Sequence, residues 1–148
     1  MVNGVNPNLI GTKISEIQQS LERLGDISSK GKEAFLNEPN LRDSAKYRLI
    51  TAIEAAISIC NHIAARKFKR APESYSDCFI ILHEVGVISG DLAKKLGDMA
   101  LFRNMLVHIY WEINDERIYN ILTGELVDLE NYIKEIVNYI DKNDPKRI

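Results

Sequence analysis

The stretch Met99–Trp111 reads MALFRNMLVHIYW and places Arg103, His108 and Tyr110 inside an otherwise apolar segment. On a helix that turns about 100° per residue, Arg103 shares one stripe with apolar neighbours. The stripe comprises Leu92, Leu96, Met99, Arg103, Leu106 and Tyr110. A cation in such a stripe needs a carboxylate partner, a subunit interface or an open cleft that receives an anion. The stretch therefore predicts both a packed helix and a functional site.

The same helical count separates the two groups that are able to act on a phosphate. His108 points about 140° away from Arg103 on a straight helix. Both can reach one phosphate if the helix loosens near its end, if the long Arg103 side chain reaches round, or if two subunits bring their motifs together. A two-fold dimer would place two copies of each group across one cleft.

The spacing of these residues is more informative than the Arg-x4-His pair alone. From the 8 arginines and 3 histidines of the chain, such a pair arises by chance about 0.16 times. Asn104 after the arginine and Tyr110 two residues beyond the histidine lower this to about 0.0005. Taken singly, each of these residues is more often structural or exposed than functional, so the full pattern carries the hypothesis.

The rest of the chain predicts an all-α fold. Ile10, Ile14, Ile17, Leu21 and Leu24 recur at helical intervals and predict a first helix that ends between Leu24 and Lys30. Further helices are predicted over 41–69, over 74–83 with Ser74 or Ser76 as cap, from a cap at Ser89, and from Asn114 or Asp115 through Ile140 with Gly124 inside. No segment alternates with a period of two, so we expect an up-and-down bundle of about five helices.

Composition narrows the class of protein. The chain has 148 residues, 45% of them hydrophobic and 27% charged, with a net charge of −2. These values are typical of one globular domain and argue against a protein that coats nucleic acid through bulk charge. No apolar run approaches the length needed to cross a bilayer, and no secretory signal is evident, so we expect a cytoplasmic protein without a membrane.

Other candidate features have structural interpretations. We expect Cys60 and Cys78 to be buried free thiols, and His62 and His83 to be structural. We interpret the basic run Arg66–Arg70 as a solvated helix end, with a phosphate-binding role as the alternative. Glu54 and Asn61, on the apolar second helix, need partners. Neither a carboxylate cluster nor a Gly-rich loop points to a metal or a nucleotide cofactor, so we expect none.

The chemistry of the motif fits metal-independent cleavage of RNA. A base takes the proton of a ribose 2′-hydroxyl, which attacks the adjacent phosphorus, while a cation stabilises the charge on the phosphate oxygens. Histidine titrates near neutrality and suits the first task, and the planar fork of arginine suits the second. The products are a cyclic phosphate and a free 5′-hydroxyl.

The sequence resembles the HEPN superfamily, and most closely its HepT-like branch of toxins from two-gene toxin–antitoxin systems. The resemblance rests on FRNMLVHIYWEI at 102–113, on the segments before and after it, and on ITAIEAAISICNHIAA of the second helix. It covers residues 41–140. It implies one HEPN-like helical domain over 1–148 that forms a homodimer with the motif lining a shared cleft. The asparagines before Pro7 and the mixed charges around Pro145 predict loose ends at 1–8 and 142–148.

The resemblance also implies roles for individual residues. Arg103 would stabilise the scissile phosphate, His108 would be the acid or base, and Asn104 would help to shape the site. Tyr110 occupies the position at which a partner nucleotidyltransferase antitoxin of the MNT type adds AMP and silences the toxin. One alternative is a non-catalytic subunit that binds nucleotide or substrate for a nucleotidyltransferase, and another is a helical dimerisation module.

Overall fold

The computed structural model describes residues 4–109 and 112–143. These residues form seven helices: α1 (Pro7–Ser29), α2 (Lys32–Asn37), α3 (Pro39–Arg66), α4 (Tyr75–Glu84), α5 (Gly90–His108), α6 (Asp115–Gly124) and α7 (Val127–Lys142). The all-α prediction is confirmed. The described part of the chain contains two helices more than expected, because the short α2 was not predicted and the last predicted helix is divided into α6 and α7.

Helix α3 is the central element of the bundle. It packs against α1 along its length and also contacts α2, α4, α5 and α6. By length and composition α3 could span a membrane, with an 18-residue window of mean hydropathy 1.2, although we expected no run of that length. More than half of that window, 56%, is buried inside the fold, so α3 serves as a core helix.

Two hydrophobic clusters fix the direction in which α3 and α5 pack. The first joins the α3 residues from Ala52 onward to the α5 residues Leu92–Ala100. The second joins Ala45 and Leu49 of α3 to Phe102 and Leu106 of α5. The end of α5 therefore lies beside the beginning of α3, and the two helices are antiparallel.

Side-chain caps begin four of the helices. Ser74, Ser89 and Asn114 cap α4, α5 and α6, as predicted. The side chain of Asn6 caps α1 by accepting hydrogen bonds from two backbone N–H groups, and Val5 is buried. The expected loose start over 1–8 is therefore wrong for residues 5–8, which α1 and its cap hold in place.

Gly124 lies at the end of α6 and not inside a long helix, which corrects the prediction for this segment. The apolar residues of α6 belong to the second cluster, whereas Leu129, Tyr132 and Ile136 of α7 belong to the first. The turn after Gly124 carries the chain from one cluster to the other. Because both helices keep the same apolar spacing, the sequence pattern does not reveal the break.

Cys60 and Cys78 are buried, as predicted, but the expectation of free thiols is wrong. The two residues form a disulfide between α3 and α4, with Cα atoms 6.1 Å apart. A separation of 18 residues along the chain conceals this contact. The packing of two consecutive helices brings the sulfur atoms together.

The two other histidines have structural roles, as expected. His62 Nε2 accepts a hydrogen bond of 2.8 Å from the backbone N–H of Asn6. Burial and the charge of Arg66 lower the pKa of His62, which favours the neutral ring that this bond requires. His83 Nδ1 lies 3.2 Å from the carbonyl of Ile88 and fixes the turn between α4 and α5.

Candidate active site

Arg103 of α5 is paired with Glu54 of α3. Both Nε and Nη2 of the guanidinium donate to Glu54 Oε1, with an Nε–Oε1 distance of 3.2 Å. The Arg103 side chain is 17% exposed and that of Glu54 is 48% exposed, so the pair lies at the edge of the core. Of the three environments considered for a cation in this stripe, the structure shows the carboxylate partner.

The guanidinium of Arg103 is held on two further sides. Nη1 donates to Asn104 Oδ1 at 3.0 Å, and the ring centroid of Tyr75 lies 5.6 Å from the guanidinium carbon. Arginine carries five N–H bonds. Three of them are directed at side chains in the described part of the chain, so up to two can reach a phosphate oxygen. The guanidinium is therefore held in a defined orientation while some of its N–H groups remain available.

His108 is the last residue of α5, and its side chain is exposed. Helix α5 is regular through this residue, and the backbone changes direction at Ile109, where φ is −131°. Arg103 and His108 therefore remain about 140° apart around the helix and about 7.5 Å apart along it. The loosening that would let one chain bring both groups to one phosphate does not occur before His108.

The final turns of α5 and the following residue, Ile109, expose an apolar surface around the motif. Leu101, Met105, Val107 and Ile109 are 57%, 38%, 43% and 38% exposed. We call these four residues, together with Asn104 and His108, the motif surface. Apolar groups concentrated in this way on a small domain are typical of an interaction site.

A second ionic cluster fixes the chain just beyond the motif. Asp115 at the start of α6 forms ion pairs with two residues of α3, Arg42 (Nε at 3.2 Å) and Lys46 (Nζ at 3.5 Å). Lys46 is buried and Asp115 is partly buried. This contact anchors the start of α6 to the same end of α3 that lies beside His108.

The structure locates three of the four predicted site residues. It brings Arg103 and Asn104 together and places His108 elsewhere on the helix, whereas Tyr110 lies outside the described residues. The need of Glu54 for a partner is confirmed by Arg103. Asn61 is exposed, with its Oδ1 3.2 Å from the Cys78 sulfur.

Sequence reasoning missed that Glu54 and Arg103 belong to the same site. The available signal was an acidic side chain on an apolar helix and a basic one on another. Only the packing of α3 against α5 joins them. The sequence analysis also missed Tyr75, because no spacing rule connects the first turn of α4 to the motif.

The basic run lies at the end of α3, in agreement with the helix-end interpretation. Arg70 Nη1 forms an ion pair of 2.7 Å with Glu84, and Lys67 Nζ lies 4.3 Å from the ring centroid of Tyr139. Two of its cations thus have structural partners. In the described residues, no group of three His, Cys, Asp or Glu side chains is arranged to hold a metal ion.

Comparison with protein families places this site in context. The family model for HepT-like ribonucleases matches residues 17–136. The mRNA nuclease HepT of Shewanella oneidensis is 30% identical over 129 residues, which cover 87% of this chain and 96% of that protein. The tRNA nuclease HepT of Aphanizomenon flos-aquae is 26% identical over 143 residues, covering 94% and 95%.

Solved structures resemble the whole fold. The tri-AMPylated HEPN toxin of Shewanella oneidensis in complex with MNT antitoxin superposes with a TM-score of 0.83 at 29% identity, covering 90% of this chain and 99% of that one. A toxin–antitoxin crystal structure with AMP-PNP gives the same TM-score and identity, with coverage of 88% and 98%. The cytosolic protein YutE of Bacillus subtilis, at 18% identity, shares the fold with a TM-score of 0.81, covering 95% and 94%.

Proposed function

Because the chain belongs to the HepT-like ribonuclease family, we propose that it is a metal-independent endoribonuclease and the toxin of a cytoplasmic toxin–antitoxin system. One observation carries the proposal: Glu54 and Asn104 hold the Arg103 guanidinium at the edge of an exposed surface that contains His108. The relatives named as mRNA and tRNA nucleases support the choice of RNA as substrate.

In this proposal, Arg103 and His108 are the catalytic residues. A histidine takes the proton of the 2′-hydroxyl, the 2′-oxygen forms a bond to phosphorus, and the bond from phosphorus to the 5′-oxygen breaks. The same histidine, now protonated, returns that proton to the 5′-oxygen. The N–H bonds of Arg103 that Glu54 and Asn104 leave available stabilise the charge on the other phosphate oxygens. Asn104 supports the site by fixing the guanidinium.

The active species in our proposal is a homodimer. Within one chain the two catalytic groups diverge by about 140°, which favours a site that takes its Arg103 from one subunit and its His108 from the other. The motif surface supplies apolar groups that a second copy can cover, and a two-fold axis through it would place the His108 side chains across one cleft.

The proposed partner is an MNT-domain nucleotidyltransferase antitoxin that adds AMP to Tyr110. The similar toxin structure in complex with MNT antitoxin is AMPylated, which supports this assignment. Tyr110 follows His108 by two residues, so a bulky anion on its side chain would repel the phosphates of RNA. Mass spectrometry after incubation with the antitoxin and ATP tests this: the gain of AMP mass must disappear in Tyr110→Phe.

Cleavage of RNA in the presence of a chelator tests the catalytic proposal. We expect the wild-type protein to cleave in EDTA, His108→Ala to be slower by about 10²- to 10⁴-fold, and His83→Gln, a control at another exposed histidine, to retain activity. Failure of the wild-type protein to cleave, or equal cleavage by His108→Ala, would contradict the proposal. Tight RNA or nucleotide binding without cleavage would favour the alternative of a non-catalytic scaffold subunit.

A further inference from the structure

Two exposed tyrosines lie on the helices α3 and α4, which pack around the Arg103–Glu54 pair. Tyr47 is 63% exposed and Tyr75 is 37% exposed, and they are the exposed aromatic residues in the described part of the chain. Tyr75 contacts the guanidinium of Arg103 directly. Tyr132, by contrast, is fully buried and donates a hydrogen bond to a core carbonyl.

Tyr47 lies on the same face of α3 as Glu54. Seven residues separate them, which is within about 20° of two full helical turns and about 10.5 Å along the axis. Helices α3 and α5 are antiparallel. The step from Glu54 back to Tyr47 on α3 therefore runs in the same direction as the step from Arg103 to His108 on α5. Tyr47 therefore lies on the same side of the Arg103–Glu54 pair as His108, toward the end of α5.

An arginine accompanies each of the two rings. The Arg48 guanidinium carbon lies 5.6 Å from the ring centroid of Tyr47, and the Arg103 guanidinium carbon lies 5.6 Å from that of Tyr75. A nucleotide presents the complementary pair, a flat base and an anionic phosphate. Unpaired bases stack on tyrosine rings and on arginine planes, whereas bases in a duplex are already stacked on one another.

We propose that Tyr47 and Tyr75 stack unpaired bases on either side of the phosphate held at Arg103, so that the substrate is a single-stranded segment of RNA. This inference rests on the proposed function and adds two binding residues to it. Tyr47 is the clearer test because, unlike Tyr75, it has no contact with Arg103. Its exposure also means that replacement does not disturb the core.

Binding of a non-cleavable oligonucleotide tests the inference independently of catalysis. We would use fully 2′-O-methylated RNA, which lacks the attacking hydroxyl, as a single strand and as a duplex. Tyr47→Leu should raise the Kd for the single strand by about 5- to 100-fold and leave the Kd for the duplex unchanged. Tyr47→Phe retains the ring and should bind like the wild-type protein.

Tyr139→Leu is the control at a tyrosine outside the proposed site, since Tyr139 lies on α7 in contact with Lys67 and is partly buried against the first hydrophobic cluster. It should not change the Kd. Unchanged single-strand binding by Tyr47→Leu would overturn the inference while leaving cleavage, and hence the proposed function, intact. Loss of the dimer in Tyr47→Leu would assign the ring to a contact between subunits and would also overturn it. Binding without cleavage by the wild-type protein would contradict the proposed function alone.

Discussion

The two halves of α5 have opposite relations to solvent. From Leu92 to Ala100 the apolar residues are buried at 8% exposure or less against α3, α4 and α7. From Leu101 to Ile109 four apolar residues are exposed and only Phe102 and Leu106 are buried. The first half belongs to the scaffold, and the second half carries the motif.

This division explains how the Arg103 side chain can be held in place by the fold and still remain accessible to a ligand. The buried half fixes the rotation and height of α5, so Arg103 meets Glu54 in a defined position. The exposed half leaves His108 and its apolar neighbours available to a second chain. A helix that was buried over its whole length would hold the arginine but would leave no room for RNA.

Replacement of Leu96 by Ala should show the largest effect of the buried half. Leu96 is 1% exposed, so the substitution leaves a cavity and should lower the free energy of unfolding by about 2–5 kcal/mol at any protein concentration. Lys94→Ala, an exposed change in the same half, should shift it by less than about 0.5 kcal/mol. Urea denaturation measures both. If the two variants lost a similar free energy of unfolding, burial of Leu96 would not account for the stability of this half of α5.

Replacement of Met105 by Lys should affect association and not folding. If the motif surface is the dimer contact, Met105→Lys brings like charges to the interface and should raise the dissociation constant of the dimer by about 100-fold or more. RNA cleavage should fall with it. Val137→Lys makes the same change at a residue of α7 that is 40% exposed and serves as the control. If the Met105→Lys variant is still dimeric by sedimentation, the motif surface is not the dimer contact and the interface lies elsewhere.

A smaller predicted effect concerns the pH dependence of stability, through His62 in the scaffold. The pKa of His62 lies below its usual 6.5 in the folded chain. Its contribution to stability is therefore complete above about pH 6.5 and is lost as the pH falls from there through the folded pKa. One hydrogen bond, about 0.5–1.5 kcal/mol, is involved. His62→Gln retains an acceptor without titrating, so its Tm should fall less than that of the wild-type protein between pH 7 and pH 5.5.

An equal loss of Tm in His62→Gln would assign the acid sensitivity to another group. If the prediction is correct, the acid limb of the cleavage rate in this variant reports the site with less interference from unfolding. The comparison of scaffold and site then extends to His62 of α3 and His108 of α5.

Much of the fold follows from local patterns. Apolar periodicity predicted α1, α3 and the stripe of α5, and capping residues located the starts of α4, α5 and α6. The break after Gly124 and the pairing of Cys60 with Cys78 did not follow, because each depends on contacts between segments that are separate in sequence. Local periodicity specifies which face is buried, but not which neighbour covers it.

The candidate site divides in the same way. The spacing of Arg103, Asn104 and His108 marked the helix and showed that its two principal groups diverge. The roles of Glu54, Tyr47 and Tyr75 depend on the approach of α3 and α4 to α5. Their sequence context alone gives no measure of that distance. The involvement of a second copy, by contrast, was expected from the divergence of Arg103 and His108 on one helix. The structure adds the exposed apolar surface that we propose as its contact.

Mixing two inactive variants tests the shared cleft most directly. Arg103→Ala and His108→Ala would be co-expressed with different tags, and the mixed dimer would be purified and assayed on RNA in EDTA. We predict that the mixed dimer cleaves while both parent dimers do not, because one subunit supplies Arg103 and the other supplies His108 to the same phosphate. A mixed dimer as inactive as its parents would show that the two groups act within one chain and would contradict the shared-cleft account.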